Sequence, residues 1–254
     1  MNVFQNYNSG KSFNITSYST TKNFTQLSCF LFTSDINSTY YYIMDYSDGK
    51  IIILNEYWQY LGIFENQIPL PVYAITTGNK IYVINNNGIY KLNITLSIIQ
   101  KYDATGLNLI GMYYNSTNDT IYVSTQKYQG ILIFSLDLIL LDYINLTSNL
   151  PTILQGYYNQ LYVGTNTGNI LIIENKLVIK SVYLGGNSLI TSILFDNYGY
   201  VIVGYYGYNY INLYYSNFTD ARYRISNIDH PFDLKFDSFG RFVILTWSQI
   251  TVHY

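Results

Sequence analysis

The sequence predicts an all-β fold, and three observations support this prediction. The 254 residues include 31 Tyr but only three Ala and three Glu, so residues that favour pleated strands far outnumber those that favour helices. Hydrophobic residues make up 49% of the chain, which is enough to bury a core and argues against disorder. Short β-favouring runs bounded by Gly, Asn and Pro recur along the chain, as is typical of hairpins.

A short β motif recurs about every 40 residues. Its centres are Ile43, Val83, Val123, Val163, Ile202 and Val243. A second marker keeps the same phase, because Pro71, Pro151 and Pro231 lie two repeats apart. A period near 40 with four short strands per repeat is what a β-propeller requires, and a sandwich or barrel would lack that period. The sequence therefore predicts one domain over residues 1–254, a β-propeller of six four-stranded blades.

The fourth repeat shows the four predicted strands in order. Its β-favouring runs are TILQGYY, QLYVGTNT, NILIIEN and LVIKSVYL, within residues 152–184. Turn residues separate these runs at Tyr158-Asn159, Thr167-Gly168 and Asn175-Lys176. Asn and Gly suit these positions because they accept the left-handed backbone of tight hairpins.

The two ends of the chain predict how the ring closes. Six repeats occupy residues 23–254, and the last repeat supplies only three strands before the sequence ends. The segment 1–22 contains a further β-favouring run, KSFNITSYS at 11–19. We expect this run to complete the last blade, since a closed ring leaves no open sheet edge to aggregate.

Two repeats resemble a known family. The pattern PFDLKFDSFGRFVIL at 231–245 and its counterpart TSILFDNYGYVIV at 191–203 are similar to NHL repeats. The resemblance implies a propeller, commonly six-bladed, that serves as an interaction platform for proteins or RNA. Related six-bladed propellers are hydrolases or lyases, and fold analogy alone does not choose among these activities.

Composition limits the class of partner. Charged residues make up 11% of the chain and the net charge is −2, which argues against nucleic acid, since phosphate binding needs a surplus of Lys and Arg. Cys29 is the only cysteine, so a disulfide framework and a Cys-based metal site are excluded. No phosphate-binding loop or paired-histidine motif occurs, and we expect neither a cofactor nor a resident metal. The most apolar stretch, 131–146, is too short to span a bilayer.

Candidate channel residues are few. The strand starts that would face a central channel are mainly uncharged, and only the sixth brings titratable groups there, His230 and Asp233. A catalytic role for this pair would make the protein a hydrolase or lyase that works in the channel. A loop histidine and a turn aspartate with structural roles are the alternative.

Aromatic and amide side chains recur in the loops between the second and third strands. One falls in each repeat: Tyr46, Asn86, Tyr128, Asn166, Tyr206 and Trp247. Such loops gather on one face of a propeller, and Tyr, Trp and Asn combine rigid contact area with hydrogen bonding. The sequence therefore predicts a non-enzymatic binding scaffold with a protein or carbohydrate ligand on that face.

Acceptor motifs for N-glycosylation indicate an extracellular or cell-surface location. N-x-S/T motifs that fall in predicted turns or blade ends start at Asn37, Asn93, Asn115, Asn118 and Asn145. The pair Asn115 and Asn118 lies in one polar hairpin and gives the best acceptors. The first residues lack the apolar run of a signal peptide, and an AT-rich genome that inflates Asn, Ile and Tyr together is the competing explanation.

Overall fold

The computed structural model describes residues 11–13, 26–34, 39–65, 67–147, 149–186, 188–219, 221–247 and 249–253. Within these ranges the chain forms β-strands joined by turns, and the single helical piece is a 3-10 turn at Tyr206–Tyr208. This agrees with a composition poor in helix-favouring residues and rich in Ile, Tyr and Thr.

The strands of the first half follow one another in chain order. An N-terminal strand is β1 (Lys11–Phe13). Blade 1 contains β2 (Leu27–Ser34), β3 (Thr39–Asp45), β4 (Lys50–Asn55) and β5 (Tyr60–Glu65). Blade 2 contains β6 (Tyr73–Thr77), β7 (Lys80–Asn85), β8 (Gly88–Asn93) and β9 (Ile98–Asp103). Blade 3 contains β10 (Leu109–Asn115), β11 (Thr120–Thr125), β12 (Gly130–Ser135) and β13 (Leu140–Asn145).

The second half continues the same arrangement. Blade 4 contains β14 (Pro151–Tyr157), β15 (Gln160–Thr165), β16 (Asn169–Glu174) and β17 (Leu177–Tyr183). Blade 5 contains β18 (Ile190–Phe195), β19 (Val201–Tyr205), β20 (Tyr210–Tyr214) and β21 (Ala221–Ser226). Blade 6 receives three strands from the end of the chain, β22 (Asp233–Phe236), β23 (Phe242–Leu245) and β24 (Ile250–His253).

The N-terminal strand closes the ring, as the sequence predicts. The sixth sheet has the order β1-β24-β23-β22, whereas each of the other five contains four consecutive strands. Strand β1 runs antiparallel to β24, with Lys11 opposite Val252 and Phe13 opposite Ile250. The prediction of six four-stranded blades closed by an N-terminal strand is confirmed; residues 14–19 of the predicted strand lie outside the described residues.

The repeated motif centres all lie on the second strand of a blade and are fully buried. Apolar side chains of neighbouring blades pack face to face there. Between blades 3 and 4, for example, Ile131 and Ile144 pack against Val163 and Leu171. Because burying one such side chain contributes about 1.5–3 kcal/mol, the six interfaces explain why the pattern recurs once per blade.

The innermost strands β2, β6, β10, β14, β18 and β22 surround a central channel. They approach one another closely, as Gly111 in β10 shows: a Cβ atom there would lie 2.4 Å from the carbonyl oxygen of Thr152 in β14. Glycine is therefore required sterically at this position, where three other repeats carry a proline.

The NHL-like motif has a structural role in the hairpins between first and second strands. The Asp196 carboxylate accepts backbone N–H bonds from Tyr198 and Tyr200 at 2.9 and 2.8 Å. The Asp237 carboxylate does the same for Phe239 and Arg241, both at 2.9 Å. The glycine of each motif has positive φ, 82° and 74°, a conformation that Gly adopts without strain.

The alternation of antiparallel strands gives the ring two distinct faces. The connections between second and third strands, and those between blades, lie on one face, which we call the upper face. The hairpins between first and second strands, and between third and fourth strands, lie on the other, which we call the lower face. The residues predicted for binding belong to the upper face.

Candidate functional site

A cavity of about 210 Å³ lies in the channel at the upper face, and we call it the mouth cavity. Its walls come from the start of every innermost strand, including Ser28, Tyr73, Ile110 and Thr152, and it also touches Tyr46. None of the described residues that line it is charged. The mouth cavity is therefore a small uncharged opening to which all six blades contribute.

Three serine and threonine hydroxyls of the mouth cavity are engaged with the neighbouring blade. Ser28 Oγ donates to the carbonyl oxygen of Pro71 at 2.7 Å. Thr191 Oγ1 donates to the carbonyl oxygen of Pro231 at 2.5 Å. Thr152 Oγ1 donates to the carbonyl oxygen of Ile190 at 2.6 Å. These bonds join adjacent blades and leave mainly apolar groups facing the cavity.

Four aromatic rings stand beside the mouth cavity, and we call them the mouth cluster: Tyr206, His230, Phe232 and Trp247. The Trp247 ring stacks on His230 with centroids 4.9 Å apart and planes 10° apart. Phe232 stacks on the same Trp247 ring at 6.0 Å and 17°. Tyr206 meets His230 edge-on at 4.7 Å and Phe232 at 5.4 Å. Phe232 also lines the cavity, so the cluster and the cavity form one surface.

The six predicted face residues divide into two groups. Tyr206 and Trp247 join the mouth cluster, and Tyr46 lines the mouth cavity. The other three, Asn86, Tyr128 and Asn166, occupy the equivalent loops of blades 2, 3 and 4 but do not line the cavity. The structure thus brings together the members from blades 5, 6 and 1.

The two predicted channel residues are placed at different levels. His230 lies at the mouth, with Nδ1 2.5 Å from the Asp229 carboxylate. Asp233 begins β22, is only 1% exposed and forms an ion pair of 2.8 Å with Lys235. Each therefore contacts its own set of neighbours, and neither forms a hydrogen bond with the other.

The Asp233–Lys235 pair belongs to a buried cluster on the channel wall. The Asp233 carboxylate accepts the backbone N–H of Phe30 at 3.2 Å, and Cys29 Sγ lies 3.6 Å from it. Burial raises the pKa of the Cys29 thiol to about 12. Burial opposes the charge on Lys235, but the Asp233 carboxylate outweighs it and raises the pKa of the Lys235 ammonium. At neutral pH the cluster therefore holds a neutral thiol beside an ion pair.

A second cavity of about 300 Å³ lies next to the mouth cavity, and Tyr73 lines both. Its polar groups include those of Lys235, Gln155 and Thr76. The Lys235 ammonium lies 5.2 Å from the centre of the Tyr73 ring, a distance at which a cation is attracted to the ring face. Tyr73 thus lies between the two cavities, with Lys235 beside it in the second one.

Sequence reasoning did not identify Lys235. The available signal was the spacing of Asp233 and Lys235, since residues two apart on a strand point to the same side. The contact of this pair with Cys29 had no sequence signal, because 204 residues separate Cys29 from Asp233.

The predicted glycan acceptors lie mostly at strand ends. Asn93, Asn115 and Asn145 are the last residues of β8, β10 and β13. The Asn93 and Asn145 side chains each accept a backbone N–H in the following turn, at 2.8 and 2.9 Å. Asn118 lies in the turn after β10, and Asn37 lies outside the described residues. Whether these residues carry glycans stays a prediction.

Two kinds of feature are absent from the described part of the chain. Over the ranges that the structure describes, no three His, Cys, Asp or Glu side chains come close enough to hold a metal ion. Across the same residues, no helix has the length and apolar character needed to cross a membrane.

Comparison with known proteins identifies the fold. No protein-family model and no curated protein sequence matches the chain. A streptogramin B lyase structure is 15% identical, with a TM-score of 0.70 over 96% of both chains. Catalytically inactive virginiamycin B lyase of Staphylococcus aureus, solved with quinupristin, is 14% identical, with a TM-score of 0.70 over 96% of this chain and 87% of that one.

A third structure extends the comparison beyond lyases. The WD40 domain of Neurospora crassa Pan2 is 9% identical, with a TM-score of 0.63 over 87% of this chain and 73% of that one. At such identities the likeness concerns the fold alone, since propellers of one shape carry unrelated activities. The chain is a six-bladed β-propeller.

Proposed function

We propose that this chain is a non-enzymatic interaction propeller that binds a protein partner at its upper face, with an apolar side chain of the partner in the mouth cavity. The observation that carries the proposal is the uncharged cavity of about 210 Å³ bordered by the mouth cluster. Aromatic side chains around a concave apolar opening are the usual anchors of protein interfaces.

The chemistry of the mouth cavity favours a protein over a carbohydrate. The hydroxyls of Ser28, Thr152 and Thr191 already donate to backbone carbonyls. A sugar would bring several hydroxyl groups to a mainly apolar surface, and each buried hydroxyl left unbonded is unfavourable. A Leu, Ile or Phe side chain brings no such groups. A carbohydrate ligand at the mouth remains the alternative outcome of the test.

Selection of peptides tests the proposal. A random peptide library is selected on the wild-type chain, and the best peptide is then titrated by calorimetry against wild type and Ile110→Trp. Ile110 lines the mouth cavity, so the larger indole fills the space that the partner would enter. We expect selected peptides to share a large apolar residue and to bind Ile110→Trp at least about tenfold more weakly, a change of about 1.4 kcal/mol.

The control variant is Asn159→Ala on the lower face, which we expect to bind the peptide with unchanged affinity. Failure to select any peptide, or equal affinity for wild type and Ile110→Trp, contradicts the proposal. A neutral sugar that binds wild type and loses affinity for Ile110→Trp would replace the protein partner with a carbohydrate one.

The alternative function is a hydrolase or lyase that works in the channel. Asp233 favours it, as a carboxylate on the innermost strand of a fold shared with streptogramin B lyase. Its carboxylate, however, already binds Lys235 and the Phe30 N–H. Addition of calcium and other divalent ions tests this reading. A rise of several degrees in melting temperature that Asp233→Asn abolishes supports a channel metal site and the enzymatic function.

Two further parts of the proposal concern family and location. The role of Asp196 and Asp237 in capping equivalent turns supports an NHL-type repeat. Acceptor motifs in exposed turns support an extracellular or cell-surface location. Protein from its native source should then run above 29.4 kDa and return to that mass on enzymatic deglycosylation. Native protein of unmodified mass in a cytosolic fraction contradicts the location.

A further inference from the structure

A cleft of about 360 Å³ opens on the lower face between blades 3 and 4. Three hairpins surround it: the β10–β11 hairpin with Asn115 and Asn118, the β14–β15 hairpin with Asn159, and the β16–β17 hairpin with Asn175 and Lys176. The volume falls within the usual range for small-molecule sites. We call this space the amide cleft.

The rim of the amide cleft carries hydrogen-bonding groups that the protein leaves free. The Asn159 and Asn175 carboxamides form no hydrogen bond with any residue in the described part of the chain. Asn115 and Asn118 use their oxygens to accept bonds from Thr117 and Thr120, so their NH₂ groups remain available among the described residues. A free carboxamide offers both donors and an acceptor.

The floor of the amide cleft is apolar and aromatic. Buried Leu161 and Ile173 form part of it. Two half-buried tyrosines, Tyr113 and Tyr122, stand beside them with ring centroids 6.2 Å apart. Tyrosine rings offer a flat apolar surface together with a polar tip. The cleft thus combines an apolar floor with an amide rim.

The amide cleft carries no unbalanced charge. Lys176 is the single charged side chain among the described residues that line it. Its ammonium forms an ion pair with Asp142 of blade 3, across the blade boundary. A hydrogen bond from Lys176 lowers the pKa of the Asp142 carboxyl, so the pair stays ionised and balanced near neutral pH. A ligand that matches the cleft is therefore uncharged.

We infer that the amide cleft is a binding site for a neutral saccharide. One face of a sugar ring is covered by C–H groups and packs on an apolar or aromatic floor. Its hydroxyls are both donors and acceptors, as the free carboxamides of the rim are. This site is separate from the mouth cavity, whose lining is mainly apolar, so the inference goes beyond the proposed protein partner.

The acceptor motifs at Asn115 and Asn118 set a condition for the test. Both residues line the amide cleft, so a glycan attached to either would fill the space that the ligand needs, and the inferred site requires that neither residue carries one. The chain is therefore produced in bacteria, where these motifs stay unmodified. It is screened against an array of neutral, sialylated and sulfated oligosaccharides, and the best neutral one is titrated by calorimetry.

The variants are chosen to separate binding from folding. Asn118→Ala and Asn159→Ala, singly and together, remove exposed carboxamides from turns. Asn79→Ala is the matched control, because Asn79 occupies the same turn in blade 2 that Asn159 occupies in blade 4. We expect a neutral oligosaccharide to bind wild type and Asn79→Ala equally, and the double variant at least about tenfold more weakly, with each single variant in between.

Several results would overturn the inference. These are no binding by any neutral oligosaccharide, binding of acidic oligosaccharides alone, and equal affinity for wild type and the double variant. A sugar that loses affinity for Ile110→Trp but not for the asparagine variants would bind at the mouth cavity and also overturn it. The singly substituted chains keep the test valid if the double variant fails to fold.

Discussion

At the mouth cavity three side-chain hydroxyls bond to the backbone of the next blade, whereas two carboxamides of the amide cleft, Asn159 and Asn175, have no partner among the described residues. The hydroxyl of Thr152 lies 2.6 Å from the Ile190 carbonyl of the next blade, but the Asn159 carboxamide has no partner in the described part of the chain. Both residues belong to blade 4, with Thr152 at the upper face and Asn159 at the lower face. The same blade therefore offers an apolar surface at one face and a hydrogen-bonding surface at the other.

The reason is the spacing of the blades. Innermost strands converge on the channel, so a hydroxyl on one blade reaches a carbonyl on the next. The hairpins of blades 3 and 4 on the lower face leave a gap of about 360 Å³ between them, as the cleft beside Asn159 shows. Position in the ring, rather than residue type alone, decides which polar groups remain available for a ligand.

The largest loss of stability that we expect comes from breaking the buried Asp233–Lys235 ion pair. Asp233→Asn removes the charge that balances Lys235, whose side chain is 21% exposed. Breaking a buried pair by neutralising one partner is strongly destabilising, and we expect unfolding in urea to show a loss of about 3 kcal/mol. Asp137→Asn breaks the Lys91 pair, where the carboxylate is 78% exposed, and should lose less than about 1 kcal/mol. Equal losses would contradict this contrast.

Deletion of residues 1–22 should cause the next largest loss of stability, and it should destabilise blade 6 more than the other blades. Without β1, strand β24 becomes an open edge of blade 6. We expect the melting temperature to fall by at least about 2–4 °C, the shift that 1 kcal/mol produces in a domain of this size. Hydrogen exchange should rise first in β22–β24 and least in blades 3 and 4, across the ring. An unchanged melting curve would show that β1 does not stabilise the closed ring.

A smaller change in stability is expected when one polar side-chain group is removed from each face. Thr152→Val removes the hydroxyl that donates to Ile190 with little change of shape, and should reduce the free energy of unfolding by about 1 kcal/mol. Asn159→Ala removes a carboxamide without a partner among the described residues and should change it by less than about 0.5 kcal/mol. Urea titration of both variants measures the difference, and a reversed order would refute the comparison of the faces.

The smallest effect near neutral pH concerns Cys29, which is fully buried. With a pKa of about 12 in the folded chain against 9.0 unfolded, the thiol stays protonated, and iodoacetamide at pH 8 should label it only after unfolding. The contribution of the buried thiol to the free energy of unfolding is fully present below pH 9. It falls as the pH rises from 9 toward 12, because only the unfolded chain then releases the proton. Rapid labelling of native protein would show that solvent reaches Cys29.

Much of the fold could be predicted because it depends on short-range patterns. The six motif centres from Ile43 to Val243 lie on the second strands of the blades, and they could be recognised because the same short pattern of buried apolar residues recurs in every repeat. Asp-x-x-Gly predicts a turn because the carboxylate caps it locally and the glycine accepts positive φ. Closure of the ring by an N-terminal strand, observed at residues 11–13, could be predicted by counting strands. The last repeat supplies only three, so its blade needs a fourth strand from elsewhere in the chain.

The functional surfaces depended on contacts that no local pattern records. Trp247 and Tyr206 come together with His230 because blades 5 and 6 are neighbours, whereas Asn86 and Tyr128 occupy equivalent loops elsewhere in the ring. Sequence alone determined the repeat, the strands and the side-chain types of each loop. Tertiary structure decided which polar groups bond across blades and which remain free, because that choice depends on distances between blades far apart in the chain.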